Sequence, residues 1–509
     1  MALARTLSAA FIGVSAYLVE VEANVGPGLP GTYIVGLADT AIAESRDRMK
    51  TAVQNTRLQW PKTKIIVSLS PAHLPKSGSH MDLAMCMAIV YATESRTQVR
   101  ARLANTLLIG EVGLDGRIRP ALGVLPALVV AKENGIRKAV IPIDNAKEAT
   151  LISGIEVYAA ATLSGVVDWL AGNGQLTLIH AMSHMSDNEK TDKDFCDVIG
   201  QSEAKHALEI AAAGGHHVLM IGPPGSGKSM LAERLPTILP PLKIEQALEV
   251  LSIHSIAGRS LYQTVHRPPF IAPHHSITRA ALLGGGSGNP QPGAVSFAHH
   301  GVLFLDEVSE ISGAVLDSLR TPLEEGEVRL LRSRREIVFP SQFQLVLAAN
   351  PCRCAAEDPS QCRCNVHARL TYLDNLSGPL RDRCDMFVHT KAKGSQVRSN
   401  AEESSATIAE RVALARERSQ HRWQALELPV HTNAAINPAL LRRDFPASED
   451  AMALLEAYLS TGEISQRRVD KTLKVAWTLC DLEGTSKPSL DQVARALELR
   501  TTTVLRDAS

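Results

Sequence analysis

The chain has 509 residues, 45% of them hydrophobic and 21% charged, an ordinary globular balance with room for about two to four cores. Lys+Arg and Asp+Glu stand at 53 each, so net charge gives no general polyanion signal, although a basic pore or patch fits within a neutral total. No run of about eighteen apolar residues predicts a membrane span, and Met1-Ala2-Leu3-Ala4-Arg5-Thr6-Leu7 lacks a signal-peptide pattern, so the expectation is a cytoplasmic protein with no membrane partner.

Residues 1–172 alternate short apolar strands, such as Lys64-Ile65-Ile66-Val67-Ser68-Leu69, with helical stretches such as Leu122 to Asn134, predicting an α/β domain. Pro75-Lys76-Ser77-Gly78-Ser79-His80 and Gly110-Glu111-Val112-Gly113-Leu114-Asp115-Gly116-Arg117 stand out within it. They resemble two segments of the Lon proteolytic domain, the Pro-Lys-Asp-Gly-Pro-Ser nucleophile segment and the strand leading to the catalytic lysine. His80 occupies the serine position. Counting on without a gap through Gly135-Ile136, the lysine position falls on Leu125. A Ser–Lys dyad needs a hydroxyl to attack and an amine to take its proton. The resemblance therefore implies a degenerate Lon-like fold without peptidase activity. Residues 173–196 read as a linker, because Ser183 to Lys193 has few core-forming residues.

An ATPase core is expected over 197–398. His217-Val218-Leu219-Met220-Ile221 reads as a buried parallel strand, and Met230 to Leu235 as a helix. Between them Gly222-Pro223-Pro224-Gly225-Ser226-Gly227-Lys228-Ser229 matches the phosphate-loop pattern at every fixed position. Its glycines let successive N–H groups face phosphates, Lys228 reaches the β- and γ-phosphates of ATP, and the Ser229 hydroxyl ligates Mg²⁺. Gly301-Val302-Leu303-Phe304-Leu305-Asp306-Glu307 is a Walker B strand, in which Asp306 holds Mg²⁺ and Glu307 polarises the attacking water. Phe343 to Ala349 is a further strand ending in Asn350, placed to sense the γ-phosphate. Arg383, in Gly378-Pro379-Leu380-Arg381-Asp382-Arg383-Cys384-Asp385, is the candidate arginine finger, with Arg381 as the spare. A finger supplied by a neighbour implies a ring.

Two further segments lie in this core. Pro273-His274-His275-Ser276-Ile277-Thr278-Arg279 and the glycine-rich stretch Leu283 to Gly293, with Gly284, Gly285, Gly286 and Gly288, stand where loops can face a pore. Arg279, His274 and His275 suit phosphate contacts there. Cys352-Arg353-Cys354 and Cys362-Arg363-Cys364 form two C-x-C pairs, and four thiolates can close a structural Zn²⁺ site. Arg353, Arg363 and Arg369 beside them suit phosphates. Reduced, metal-free thiols or an iron–sulfur cluster are the alternatives.

Residues 399–509 turn helical and read as an all-helical lid. Arg467, in Ser465-Gln466-Arg467-Arg468, is a candidate contact to the phosphates in cis.

Asp197-Val198-Ile199-Gly200-Gln201, Ala211 to His217, Pro273-His274-His275, Gly284-Gly285-Gly286, Leu303 to Val308 and Asn350-Pro351-Cys352 together resemble the ComM/YifB family of magnesium-chelatase-like AAA+ proteins. The resemblance covers essentially the whole chain. It implies an ATP-driven, ring-shaped motor, a homo-hexamer, acting on single-stranded or branched DNA, with branch migration and recombination proteins as its setting. The rival readings are a chelatase-type motor and a protein-remodelling ATPase. Two departures stand out: Ala294 where the family carries an acidic residue, and Trp477 where it carries an arginine, which puts one lid contact in doubt.

Overall fold

The computed structural model describes residues 2–36, 39–181, 193–259, 266–286, 290–332, 335–354, 356, 362–365, 367, 372, 376–391, 402–428 and 432–500. The chain divides into two compact units, Met1–Asp187 with Ile244–Val265, and Asn188–Lys243 with His266–Ser509. No helix among the described residues is long and apolar enough to cross a membrane.

An eight-stranded sheet organises the first unit. Its order is Thr177–Ile179, Glu156–Ala160, Lys138–Pro142, Thr106–Leu108, Ala2–Ile12, Ser15–Gly26, Lys64–Ser70 and Gly31–Val35. Ala2–Ile12 and Ser15–Gly26 form a long antiparallel hairpin. Val19, Val21 and Ala23 alternate along it into the core, with the helix Asp82–Val90 packed on both strands. The short strand Thr177–Ile179 pairs with Glu156–Ala160, so the predicted linker 173–196 begins inside a sheet. At its other end Phe195 is fully buried and Asp194 caps a turn. The polar stretch between them, 182–192, lies outside the described residues.

The two vanished dyad positions are spent on packing. His80 is buried, donates from Nε2 to the Ala9 carbonyl at 2.7 Å and lies against Phe11, with ring centroids 4.9 Å apart. Burial pulls its basicity below the usual histidine value. Leu125 opens the second residue of the helix Val124–Glu133, and its N–H donates to Glu148 at 3.1 Å. The same buried carboxylate oxygen accepts from Ser255 at 2.6 Å. Ser255 belongs to the helix Ile244–Ile256, which packs on Val124–Glu133. The contiguous 197–398 core expected from the sequence is thus interrupted: residues 244–265 group with the first unit. The interruption is pinned at its base, where the Leu242 N–H donates to the His266 carbonyl at 2.7 Å.

In the second unit five parallel strands run in the order Phe270–Ile271, Val302–Leu305, Gln344–Ala349, Val218–Ile221, Met386–His389. The middle three are buried along their whole length, which explains their unbroken apolar sequences. The lid is built from the helices Ser405–Gln424, Pro438–Arg443, Glu449–Ser460, Gln466–Glu483 and Leu490–Glu498. Its core closes on Trp423, whose Nε1 donates to Asn433 Oδ1 at 2.9 Å. Trp477 is buried beside it, donates to the Phe445 carbonyl at 3.1 Å and carries the Arg422 guanidinium 4.2 Å from its ring centroid. The residue that replaces a family arginine is therefore part of the lid interior.

Candidate nucleotide site

The strand Val218–Ile221 ends at Gly222, whose N–H donates to the Ala349 carbonyl at 3.2 Å. A Cβ on Gly222 would stand 2.0 Å from Thr390 Oγ1 and 2.5 Å from the Thr390 carbonyl oxygen, so the loop leaves the sheet through a gap only glycine fits. Gly225 and Gly227 then take φ of 71° and 85°, the left-handed region that turns the loop over itself. Pro223 and Pro224 stiffen its start. Ser226 is held on two sides. Its hydroxyl lies 2.7 Å from Thr390 Oγ1, and its carbonyl accepts from Gln201 Nε2 at 3.1 Å, which also donates to the Lys391 carbonyl at 2.7 Å.

Lys228 opens the following helix and is buried. Its Nζ donates to the Gly222 and Pro223 carbonyls at 2.7 and 2.9 Å and to Asn350 Oδ1 at 3.1 Å. Burial pulls its ammonium below the ordinary lysine value, while the Asp306 and Glu307 carboxylates act the other way. Ser229 Oγ donates to Asp306 Oδ2 at 2.6 Å, which brings together the two residues predicted to hold Mg²⁺. Hydroxyl and carboxylate are hard oxygen donors of the kind that ion takes. The other Asp306 oxygen accepts the Glu307 N–H at 2.8 Å. Glu307 itself sits at φ 47°, an uncommon conformation for a side-chain-bearing residue, and pairs with His275 at 3.1 Å.

Gly222 to Ser229, Asp306, Glu307 and Asn350 therefore converge. Arg383 and Arg467 do not. Met386–His389 runs parallel to Val218–Ile221 in the register Val218–Met386 to Ile221–His389. Arg383 precedes that strand, so the sheet places it more than about 10 Å from the loop end, on the opposite edge. It donates to the Pro379 carbonyl at 2.8 Å and pairs with Glu324. Arg467 is exposed and meets Asp382 at 3.4 Å, one residue from Arg383, so its contact is made away from its own phosphate loop. The cis role expected for it has no geometric basis, because the helix Gln466–Glu483 starts at the wrong end of the sheet.

The four clustered sulfurs lie within 4.8 Å of one another, with Cys352 to Cys354, Cys352 to Cys362 and Cys354 to Cys362 at 3.2, 3.4 and 3.5 Å. A tetrahedral Zn²⁺ with Zn–S bonds of about 2.3 Å needs sulfurs about 3.8 Å apart, so Cys352, Cys354, Cys362 and Cys364 fit that ion. Arg353 and Arg363 beside them are exposed; Arg369 lies outside the described residues. The glycine-rich stretch forms a short antiparallel pair, Gly284–Gly285 with Gln291–Pro292, and Gly288 also lies outside the described residues. Ala294 is buried at the start of a short helix.

Sequence reasoning missed three features. Gln201 and Thr390 brace the loop from distant positions, and no local pattern announces either. The third is a hairpin, Glu327–Arg332 with Arg335–Pro340, whose alternation Val328, Leu330 against Ile337, Phe339 was readable. Arg329 on it is tied to Glu327 at 2.5 Å, and Leu331 is 71% exposed. Arg332 ends its first strand and Arg335 opens its second; Arg334, between them in the sequence, lies outside the described residues.

Residues 194–397 match the family described as magnesium chelatase, subunit ChlI; residues 21–145 match subunit ChlI of Mg-chelatase, and 402–500 its C-terminal part. An uncharacterized protein of Mycobacterium tuberculosis is 48% identical over 505 residues, 99% of each chain. The competence protein ComM of Haemophilus influenzae is 37% identical, covering 98% of each chain, and YifB of Escherichia coli is 37% identical over 98% of this chain and 97% of its own. Lon protease 2 of Bacillus subtilis is similar over a part only, 35% identical over 147 residues, 27% of this chain and 26% of its own.

Replacing Glu307 by Gln is expected to leave ATP binding intact and to slow phosphate release by at least about 100-fold, the contribution of a positioned proton acceptor. Titration with a fluorescent ATP analogue beside a phosphate-release assay checks both halves.

Proposed function

We propose that this chain, which belongs to the magnesium-chelatase-like AAA+ ATPase family of ComM and YifB, is a ring-forming motor that spends ATP on moving DNA. The loop Gly222 to Ser229 cradles the triphosphate with its backbone N–H groups, and Lys228 turns from the loop carbonyls to the β- and γ-phosphates. Ser229 and Asp306 hold the Mg²⁺ of the nucleotide, which neutralises charge on the leaving phosphates. Glu307 takes a proton from water as the water oxygen bonds to the γ-phosphorus and the bond to the β,γ-bridging oxygen breaks, giving ADP and inorganic phosphate. Asn350 holds the γ-phosphate end in register with Lys228.

Arg383 serves a neighbouring protomer. Its place at the opposite edge of the sheet from its own Lys228 supports this, and a homo-hexameric ring is the assembly that follows. Arg467, beside it, acts at the same interface. The observation that carries DNA as the load is the sequence Arg332-Ser333-Arg334-Arg335, three arginines in four residues with no carboxylate between them. Exposed Arg279, Arg353 and Arg363 add to it. The similarity to a protein named for competence supports branched recombination intermediates as the structure moved, and recombination proteins as partners. The ChlI matches support a second reading, a motor that remodels a protein partner and ignores DNA. Cys352, Cys354, Cys362 and Cys364 hold a closed structural Zn²⁺ that staples the segment after Asn350. With His80 and Leu125 committed to packing, the first unit is a structural module without peptidase activity.

Three outcomes test this. ATP turnover is expected to rise with single-stranded, duplex or branched DNA and to lose that rise as salt increases; turnover indifferent to all three at low salt removes the DNA reading and favours the second. Arg383→Ala is expected to bind ATP normally and lose about 1,000-fold in turnover, measured with the full chain; unchanged turnover removes the trans role. Metal analysis is expected to find one zinc per chain, and less than about half an equivalent counts against the cluster as a metal site.

A further inference from the structure

Every backbone polar group from Arg383 to Asp385 has a partner, and the carbonyls find theirs in the lid. The N–H groups of Arg383, Cys384 and Asp385 donate to the Leu380, Arg381 and His217 carbonyls at 3.0, 3.0 and 2.8 Å. Lys471 Nζ donates to the Arg383 carbonyl at 2.7 Å and to the Cys384 carbonyl at 3.3 Å. Arg500 Nη1 donates to the Cys384 carbonyl at 3.2 Å and to the Asp385 carbonyl at 2.6 Å. Two lid cations thus hold three successive carbonyls, and the first of the three belongs to Arg383 itself.

Both cations are fixed in their turn. An ammonium has three N–H donors, and the third of Lys471 goes to Asp385 Oδ1 at 2.8 Å. The other oxygen of that carboxylate accepts the His217 N–H at 3.0 Å, at the entry to the strand Val218–Ile221. Arg500 is buried, and its own carbonyl accepts from Arg468 Nη2 at 3.0 Å. One residue earlier, the Leu499 carbonyl accepts the Phe387 N–H at 2.6 Å, which ties the end of the lid to the strand Met386–His389. None of these bonds involves the phosphate loop, Asp306 or Asn350.

We infer that Lys471 is a positioning residue for Arg383: from the lid it fixes the backbone from which the guanidinium reaches a neighbour's γ-phosphate, with Arg500 as the second anchor. This rests on the reading of Arg383 as the arginine given to a neighbouring protomer. It assigns the lid a share in chemistry that happens next door, because the lid of one protomer prepares the site of the next. The physical reason is geometric. A misplacement of about 1 Å suffices to cost about 100-fold in rate, and Lys471 holds the Arg383 carbonyl directly.

The test is phosphate release by the full chain with ATP and Mg²⁺, beside titration with a fluorescent ATP analogue. Lys471→Met is expected to lower kcat about ten-fold or more and to leave KM for ATP unchanged. Lys471→Arg, which keeps the cation, is expected to retain most of the rate. Because Lys471→Met strands the Asp385 carboxylate, Lys471→Met with Asp385→Asn is measured beside it and is expected to show the same loss. Added to Arg383→Ala, Lys471→Met is expected to cost no further turnover. Mixing Lys471→Met protomers, whose phosphate loop is intact, with Lys228→Ala protomers, whose arginine is intact, is expected to recover turnover above either variant alone. A purely structural role would give no such recovery, and its absence overturns the proposal. So does a kcat at the wild-type value in both Lys471→Met and the double variant, or a loss that adds in full to that of Arg383→Ala. If Arg383→Ala itself keeps wild-type turnover, the reading of Arg383 falls and the proposal with it; a loss there but none in the Lys471 variants removes the positioning alone.

Discussion

Parallel alignment of five strands governs the chemistry of the second unit. Because all five run the same way, every loop leaving a C-terminal strand end opens on one edge of the sheet. Gly222, Asp306, Asn350 and the segment holding His275 leave four of those ends. Lateral spacing of about 4.8 Å per strand then suffices to bring Lys228 to Asn350 and Ser229 to Asp306. The same alignment sends residues that precede a strand to the other edge, which is where Arg383 is found. One constraint therefore gathers the phosphate loop, Asp306 and Asn350 at one edge of the sheet and sends Arg383 to the other.

The turn that carries Arg383 is firmly held. Asp385, two residues after Arg383, is buried and accepts the His217 N–H at 3.0 Å while pairing with Lys471 at 2.8 Å. Burial pushes its carboxyl up, but Lys471 and the neighbouring histidines outweigh that and hold it well below the usual range. Lys471 also donates to the Arg383 carbonyl at 2.7 Å, and Arg500 donates to the Asp385 carbonyl at 2.6 Å. Stranding a buried charge by removing its partner costs roughly 3–5 kcal/mol, so this arrangement resists local opening. A lid helix thus grips the loop that carries the arginine.

How much of this was legible in the sequence follows the range of each interaction. The phosphate loop, the Walker B carboxylates and Asn350 each sit at the end of an apolar run, so local pattern located them. Gln201 and Thr390 contact the loop from 25 and 164 residues away, and nothing near them in the sequence marks that use. His275 misled because an exposed histidine pair next to an arginine has the composition of a phosphate contact; its real partner is set by strand order. Arg467 misled for the same reason. Its motif was readable, but the edge of the sheet it faces is a property of topology. In the first unit, His80 and Leu125 were legible as losses, while the work they do now, one against Phe11 and one donating its N–H to the buried Glu148, was not.

The helix Ile244–Ile256 has a consequence for the order in which the chain is made. A ribosome delivers residues 1–181 first, and they contain every strand of the eight-stranded sheet. They lack the segment that covers the helix Val124–Glu133 and supplies Ser255 to the buried Glu148. About seventy-five further residues, including the phosphate loop, must emerge before the helix is complete at Ile256, and at about 5–20 residues per second that is a wait of roughly 4–15 seconds. During it the sheet stands complete while the outer side of the helix Val124–Glu133 is uncovered, a window in which a nascent-chain chaperone has something to hold.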